Sequence, residues 1–595
     1  MQTCKSCHAD VHSTFIHTGM GRSFDRATLE KTDATFGEHA VVYDEASDLH
    51  YKPFFRDSQM YVLEYRLEGA DTVHQRLEQI DYIVGSGQHT NSHIVDFNGY
   101  LYQAPVTYYT QEGKWDMAPG FRGDNIRFSR LLSAECITCH NHLPEQVPGS
   151  MNKYTKMPTG IACERCHGPG EIHVKEKLAG DIVDTSKWID YSIVNPRDLS
   201  RDLQMDLCQR CHLQGIAVLQ EGKSFYDFKP GMPLNEVVNV FLPRYTDSHE
   251  KFIMASQADR LRLSACYLNS EMTCITCHNP HKSIAVTGKE QYNNACKNCH
   301  DSPEESRCAF PIAERLAEGN DCSGCHMPRS GSIDIPHVNI TDHYISKGNT
   351  RGAEKPKTAG TTAAFLGLEI LTKDQGTALE LAQGYLAMYD KYVQSPMVLD
   401  SAWAYLQQSQ APAEKQFPVE VHYFFAREDY ASILQRTSGI SPSEVGDGWT
   451  AYRIGEAFYQ AGDFQRAAAF YRRADEWIPY HLDFKEKLGA TLVQLRQLPE
   501  AEEALRWVLQ ENPKRPRALS NLGFARVLQG HTKEAEVYYD QAIALEPDYI
   551  QALLNKAAVR LLHKDYTTVQ QLLGRILKLD PEHPQALAIL QQLNH

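Results

Sequence analysis

Hydrophobic and polar positions follow three different rhythms along this chain. Between residues 40 and 130 short runs alternate. Tyr61-Val62-Leu63-Glu64-Tyr65-Arg66-Leu67 places apolar and polar side chains in turn, and the stretch from Leu101-Tyr102-Gln103 to Thr107-Tyr108-Tyr109 is rich in aromatics. A period of two bounded by Gly and Asn turns predicts strands, so 40–130 reads as a small antiparallel β-rich insertion. From 131 to 346 no period persists, and loops with short helices are expected. Beyond residue 363 the pattern turns helical, and from about 448 it repeats. Pro479, Pro513, Pro547 and Pro581 are each 34 residues apart, and Gly455, Gly489 and Gly523 keep the same interval with Ala557 fourth. Ala467, Ala501 and Ala535 recur with Val569 fourth, and large residues fill one packing position: Tyr471, Leu505, Tyr539 and Leu573. Thirty-four residues is the tetratricopeptide period, so 448–581 holds four helix-turn-helix units, with 582–595 as a closing helix. Residues 363–446 lack the register and are read as degenerate repeats of one α-helical domain, 363–595.

The polar, Gly- and Lys-rich stretch 347–362, with Pro356, reads as a linker. At 595 residues the chain is too long for one ordinary core. Its 42% hydrophobic and 23% charged composition is that of a globular protein, and no run approaches the ~18 apolar residues of a membrane-spanning helix. A net charge of -15 argues against a nucleic-acid partner, which needs concentrated positive charge. It fits a basic redox partner or a mineral or metal-ion acceptor.

All sixteen cysteines lie between Cys4 and Cys325, and fourteen form seven C-x-x-C-H units. These are Cys4/Cys7/His8, Cys136/Cys139/His140, Cys163/Cys166/His167, Cys208/Cys211/His212, Cys274/Cys277/His278, Cys296/Cys299/His300 and Cys322/Cys325/His326. This is the attachment signature of c-type haem. On a helical turn, residues three and four apart share a face, so two thiols reach the two vinyl groups of one porphyrin. The histidine that follows becomes the proximal axial ligand. Zinc also uses C-x-x-C pairs but does not require a histidine after every second cysteine. A disulfide framework is expected in small secreted domains. Seven covalently bound haems are therefore expected in 1–346, a loop-rich domain whose core the haems largely supply. Cys266 and Cys308 remain, as a disulfide or as two buried thiols.

Thirteen further histidines lie in this region, more than seven irons need as distal ligands, so every iron can be bis-histidine and closed, which suits electron transfer. His281 follows its motif as C-H-N-P-H and His173 as C-H-G-P-G-x-x-x-H. His337 and His343 trail the last motif, and His89 and His93 follow the turn Gly85-Ser86-Gly87. With His39, these make the expected distal set. Met20 is a candidate thioether ligand.

The stretches HTGMGRSF (17–24), IDYIVGSGQH (80–89), CERCHGPGEIH (163–173), MTCITCHNPH (272–281), DCSGCHMPR (321–329) and TDHYI (341–345) resemble multihaem cytochromes of the cytochrome c-554 group fused to tetratricopeptide repeats. The resemblance implies that His89, His173 and His281 are distal ligands and that Cys266 and Cys308 form a structural disulfide. Pentahaem nitrite reductases and hydroxylamine oxidoreductase are better-known relatives. All seven motifs here end in histidine, so the lysine-ligated C-x-x-C-K site of the nitrite reductases is lacking.

Haem is attached outside the cytoplasm, so a periplasmic, cell-surface or secreted protein is expected. No secretory leader precedes Cys4, so the sequence is read as that of a mature or trimmed chain. Short spacers, 19 residues from Cys277 to Cys296 and 23 from Cys299 to Cys322, would force porphyrins into near contact. The expected role is an electron conduit between redox partner proteins or to an extracellular acceptor, one version of which is a self-associated cytochrome filament. The repeats would dock a partner on their concave face. Two rivals are an oxidoreductase acting on a small nitrogen or sulfur species at one open haem, and an adaptor in which the repeats matter most.

Overall fold

A computed structural model describes residues 1–246, 253–300, 311–317, 319–347 and 364–593. The alternating segment folds into two antiparallel sheets built from β1 (Phe24–Arg26), β2 (Val42–Asp44), β3 (Leu49–Arg56), β4 (Gln59–Glu68), β5 (Asp71–Ile80), β6 (Tyr82–Val84), β7 (Thr90–Phe97), β8 (Tyr100–Tyr109), β9 (Lys114–Met117) and β10 (Arg130–Leu131). One sheet runs β2-β3-β4-β5, and the other β1-β6-β7-β8-β10 with β9 on β8. Their inner faces share a core: Val42, Leu49, Tyr51, Met60 and Val62 from one meet Val95, Tyr100, Tyr102 and Val106 from the other. Period-two burial carries the packing, but one inward face turns polar. On β4 it runs Met60, Val62, Glu64, and on β5 it runs His74, Arg76, Glu78, Ile80. Glu64 accepts from Arg127 Nε at 2.8 Å and from His74 Nε2 at 2.9 Å, so the buried charge is satisfied.

The cysteine-rich part holds α1 (Gln2–Lys5), α2 (Ala9–Phe15), α3 (Ala134–Ile137), α4 (Glu164–His167), α5 (Glu171–Ala179), α6 (Arg201–His212), α7 (Gln257–Arg262), α8 (Ala265–Leu268), α9 (Cys274–Cys277), α10 (Lys289–His300), α11 (Ile312–Ala317) and α12 (Cys322–His326). Between them lie a hairpin of β11 (Glu145–Gln146) and β12 (Tyr154–Lys156), strands β13 (Ile216–Leu219) and β14 (Val238–Tyr245), and a hairpin of β15 (Arg329–Gly331) and β16 (Asn339–Thr341).

The polar stretch 347–362 falls, but for Lys347, outside the described residues. The segment expected to be helical from 363 opens instead with strand β17 (Phe365–Ile370), which pairs antiparallel with β14, Leu242 opposite Glu369. Helix begins only at α13 (Ala378–Lys391). There the Thr377 hydroxyl accepts from the Glu380 N–H, and the Glu380 carboxylate accepts from the Thr377 N–H, a capping box that fixes the start.

After α14 (Pro396–Gln408), α15 (Ala413–Ala426) and α16 (Tyr430–Arg436), the regular array runs α17 (Gly448–Gln460), α18 (Phe464–Trp477), α19 (Leu482–Gln494), α20 (Leu498–Glu511), α21 (Pro516–Leu528), α22 (Thr532–Leu545), α23 (Ile550–Leu562), α24 (Tyr566–Leu579) and α25 (Pro584–Leu593). The repeat glycines mark helix contacts. A Cβ on Gly455 would lie 2.8 Å from the Tyr471 ring, one on Gly489 2.7 Å from Leu505, and one on Gly523 2.7 Å from Tyr539. These are the large residues of the same register. The C-terminal part is a tetratricopeptide solenoid.

The array lies against the sandwich through its inter-repeat turns. Three residues 34 apart are among the contacts. Tyr480 O accepts from the Tyr100 hydroxyl at 3.3 Å, Lys514 pairs with Glu78 at 3.2 Å, and Asp548 accepts two bonds from Arg66 at 2.8 and 2.6 Å. Leu482 joins the sandwich core, with Trp507 packed against it.

Candidate functional site

Each C-x-x-C-H unit forms about one helical turn. In the first, the N–H groups of Cys7 and His8 both reach Cys4 O, at 3.2 and 2.9 Å, and in the third those of Cys166 and His167 reach Cys163 O, at 3.1 and 3.0 Å. The turn puts two thiols and an imidazole on one face. After the third unit the helix must stop: a Cβ on Gly168 would lie 2.6 Å from Glu164 O, so only glycine fits there.

All fourteen motif cysteines and all seven motif histidines line one continuous cavity of about 5180 Å³. Small-molecule pockets are roughly 300–1,000 Å³, so this space takes several large groups. The turns carrying motifs four and five (α6, α9), five and six (α9, α10) and six and seven (α10, α12) pack against one another.

Three motif imidazoles face a second imidazole across the cavity. His8 and His173 have ring centres 6.4 Å apart at 20° between planes, His167 and His281 5.8 Å at 16°, and His278 and His343 6.1 Å at 24°. Two metal–imidazole bonds of about 2 Å, with about 1 Å from each nitrogen to its ring centre, give about 6 Å. The three separations match that span. The pairs also cross the sequence: each motif histidine meets a residue trailing a later motif, from one to three, three to five and five to seven.

The protonation chemistry suits this. His167 Nδ1 lies 2.9 Å from Val194 O, His326 Nδ1 2.7 Å from Ser346 O and His343 Nδ1 3.1 Å from Thr341 O. A carbonyl only accepts, so each Nδ1 carries the proton and each Nε2 keeps its lone pair, the usual second-shell arrangement of a ligating histidine. Burial holds the imidazoles of His140 and His343 down at about 4, neutral as ligation requires. Burial pushes two of the thiols the other way, Cys166 up to about 12 and Cys296 to about 11, whereas hydrogen bonds from neighbouring thiols bring Cys211 and Cys274 down. Among the described residues, no three His, Cys, Asp or Glu side chains converge on one point as a metal-ion cage. The residues present fit covalently attached haem.

Of the expected distal histidines, His89, His173, His281 and His343 line the cavity, whereas His39, His93 and His337 do not. His39 is exposed beside Thr35, with Nε2 3.3 Å from the hydroxyl. His93 is buried in the sandwich, its Nδ1 on Val106 O at 3.0 Å and its ring 4.9 Å from Trp115. The alternation of β7 turns it into that core. His337 is clamped at both nitrogens, Nδ1 to Glu112 and Nε2 to Asp116, each at 2.9 Å. Met20 lines the cavity, and so does His12, which the distal set had omitted. Its signal was the i, i+4 spacing from His8 along α2. Cys308 lies outside the described residues, and with it the Cys266–Cys308 pairing.

Comparison with known proteins agrees with this chemistry in parts of the chain. Residues 122–168 match the family described as cytochrome c554 and c-prime, 268–305 match the doubled CXXCH motif, and 458–523 and 526–593 match the tetratricopeptide repeat. The multiheme cytochrome MtrA of Shewanella baltica is 26% identical over 180 residues, 28% of this chain and 51% of that protein. The Hsp70-Hsp90 organizing protein 2 of Arabidopsis thaliana is 24% identical over 149 residues, 24% of this chain and 26% of that protein. The chain thus spans about half the length of the first relative and a quarter of the second. Among solved structures, a double mutant of MamA RS-1 superposes with a TM-score of 0.26 at 20% identity, over 30% of this chain and 99% of that one.

Proposed function

We propose that this chain, a multihaem c-type cytochrome fused to a C-terminal tetratricopeptide domain, carries electrons along seven covalently bound haems outside the cytoplasm. One observation carries the reading: all twenty-one motif side chains open onto a single cavity. Haems held there supply the redox chemistry. The chain's own residues attach them, orient them and exclude water. The proposed proximal ligands are His8, His140, His167, His212, His278, His300 and His326, with His173, His281 and His343 opposite the first, third and fifth. Those pairs tie odd-numbered motifs together, α6, α9, α10 and α12 pack in succession, and Cys139 Sγ of the second motif lies 3.9 Å from Arg210 O beside the fourth, so that each centre would have a neighbour. That continuity suits stepwise electron hopping better than chemistry at one isolated centre.

No helix among the described residues is long and apolar enough to cross a membrane. Donor and acceptor are proposed to be redox proteins or an extracellular acceptor, and the periplasm or cell surface is the proposed location, because thioether attachment occurs there. Head-to-tail association of copies would extend the row of centres into a filament. The inter-repeat turns already hold the sandwich, so a docked partner would use the concave face of the array.

The test is the mass and spectrum of the natively produced protein. Seven haems per chain with a predominantly low-spin oxidised spectrum are expected, and a mass equal to the bare polypeptide would overturn the reading. Electron microscopy that shows only monomers or closed oligomers would remove the filament and leave the conduit standing.

A further inference from the structure

His89 differs from five other cavity histidines in where its proton lies. Those five place Nδ1 against an acceptor. Besides His167, His326 and His343, the Nδ1 of His173 is 3.1 Å from Ser192 Oγ, whose own proton goes to Asp190 Oδ1 at 2.5 Å. The Nδ1 of His212 is 3.4 Å from Gln257 Oε1, while Gln257 Nε2 is committed to Met254 O at 2.8 Å. Each of these rings therefore offers the cavity a lone pair on Nε2.

His89 Nδ1 instead meets the amide nitrogen of Gln111 at 2.8 Å. Two bonds to one backbone residue fix that amide. Gln111 Oε1 accepts the Asn339 N–H at 2.7 Å, and Gln111 Nε2 donates to Asn339 O at 3.1 Å. Turning the amide over would set N–H against N–H at one end and oxygen against oxygen at the other, so the orientation follows from the network. The second hydrogen of Nε2 is then the one given to His89, whose Nδ1 accepts. The ring's proton is on Nε2, and a nitrogen bearing a proton has no lone pair for a metal. Burial, and next the charge of Arg329, lowers the imidazole's pKa, which keeps the ring neutral and in this tautomer near pH 7. Arg329 also lines the cavity, and its Nη2 donates to the same Asn339 O at 3.1 Å. Strands β15 and β16 bring the two together: Arg329 opens β15, Asn339 opens β16, and Gln111 reaches across from the turn between β8 and β9.

We infer that His89 presents a hydrogen-bond donor to the cavity rather than an iron ligand, and that with Arg329 it forms a subsite for a carboxylate or small oxyanion. A neutral N–H beside a guanidinium recognises that class of acceptor. The acceptor comes either from a haem propionate or from a free anion such as nitrite or sulfite. This rests on haem filling the cavity and departs from the distal-ligand role that the G-S-G-x-H resemblance implies.

The test uses the full-length holoprotein as the parent and as His89→Ala and His89→Gln, since glutamine keeps an N–H donor. Haem content is measured first. A parent without haem would sink the proposed function and this inference together. With haem present, the oxidised spin state decides the inference alone. The parent's low-spin count is expected in both variants, and conversion of one haem to high spin in both would overturn it. Two further readouts separate the sources. For a propionate, one midpoint potential falls in His89→Ala and returns in His89→Gln, while nitrite and sulfite leave every spectrum unchanged. For a free anion, nitrite or sulfite perturbs the parent and His89→Gln spectra, with binding at least tenfold weaker in His89→Ala. No change in either readout would overturn the subsite.

Discussion

Arg66 of the β-sandwich grips Asp548 of the repeat array with both guanidinium nitrogens, Nη1 to Oδ1 at 2.8 Å and Nη2 to Oδ2 at 2.6 Å. The two residues are 482 positions apart in sequence. Asp548 occupies the third of three turn positions, after Tyr480 and Lys514, that meet the sandwich at successive repeats. The solenoid period is thus used in cis, as a ledge along which the haem-bearing half is held. A bidentate Arg–carboxylate pair at a partly exposed site is worth up to about 1 kcal/mol. A double-mutant cycle on Arg66→Ala and Asp548→Ala should therefore show a coupling of about 1 kcal/mol that shrinks with added salt. Independent, additive effects would mean that the ledge is held by its other contacts, Leu482, Tyr480 and Lys514 among them.

Replacing His281 by Ala should leave haem attachment intact while one low-spin haem turns high spin, because the ring 5.8 Å from His167 is removed and the thiols of the third motif are untouched. His173→Ala and His343→Ala should do the same to other haems. His93→Ala and His337→Ala are expected to leave the spin state as it is, since neither ring reaches the cavity. Electron paramagnetic resonance of the oxidised proteins reads all five variants.

Much of this was legible in the chain before any fold was known. The repeat register was visible because identical packing demands recur: Gly455, Gly489 and Gly523 each leave room for one large residue sixteen positions later. The haem motifs were visible because attachment is local, confined to one helical turn. The distal side was less legible, since a ring such as His343 meets His278 only through the folding of the long segment between them. Local spacing placed His93 and His337 as well as it placed His281, yet the pleat of β7 turned His93 into the sandwich, and Glu112 and Asp116 took both nitrogens of His337. The polar inner face of β5 has a related cause. Val73 and Leu77 point outward, and His74, Arg76 and Glu78 point inward, because that face meets Glu64, Phe128 and the repeat ledge rather than hydrocarbon alone.

Glu64 makes stability depend on acid. Burial alone would push its carboxyl up, but the bonds from Arg127 and His74 outweigh this and hold it down at about 2, from an ordinary value of 4.5. A carboxyl lowered in the folded state stabilises the fold fully above its unfolded value, and that contribution is lost as pH falls through the folded value. The window is therefore from about pH 4.5 down to about pH 2, with about 3 kcal/mol at stake in order of magnitude. The urea midpoint of the sandwich should fall steeply across it. In Glu64→Gln the dependence should flatten, and the midpoint at pH 7 should already be low, because Arg127 is left buried without its counter-charge. Equal slopes in parent and variant would place the acid sensitivity elsewhere.

Two glycines in the repeat array predict opposite outcomes for the same substitution. In a helix interior, alanine is favoured over glycine by about 1 kcal/mol through backbone entropy. At Gly523 a methyl group would meet the Tyr539 ring at 2.7 Å, and that ring is fully buried against the facing helix with no direction in which to retreat. Overpacking a core costs about 1–3 kcal/mol, so the clash outweighs the propensity and Gly523→Ala should lower the thermal midpoint of the helical transition. Gly574 lies on the exposed face of α24 with nothing within 4 Å of its would-be Cβ, so only the entropy remains and Gly574→Ala should raise that midpoint. Both melts are followed by far-ultraviolet circular dichroism of the full chain. A rise for both variants would mean that α21 and α22 are packed more loosely than the Gly523–Tyr539 approach requires.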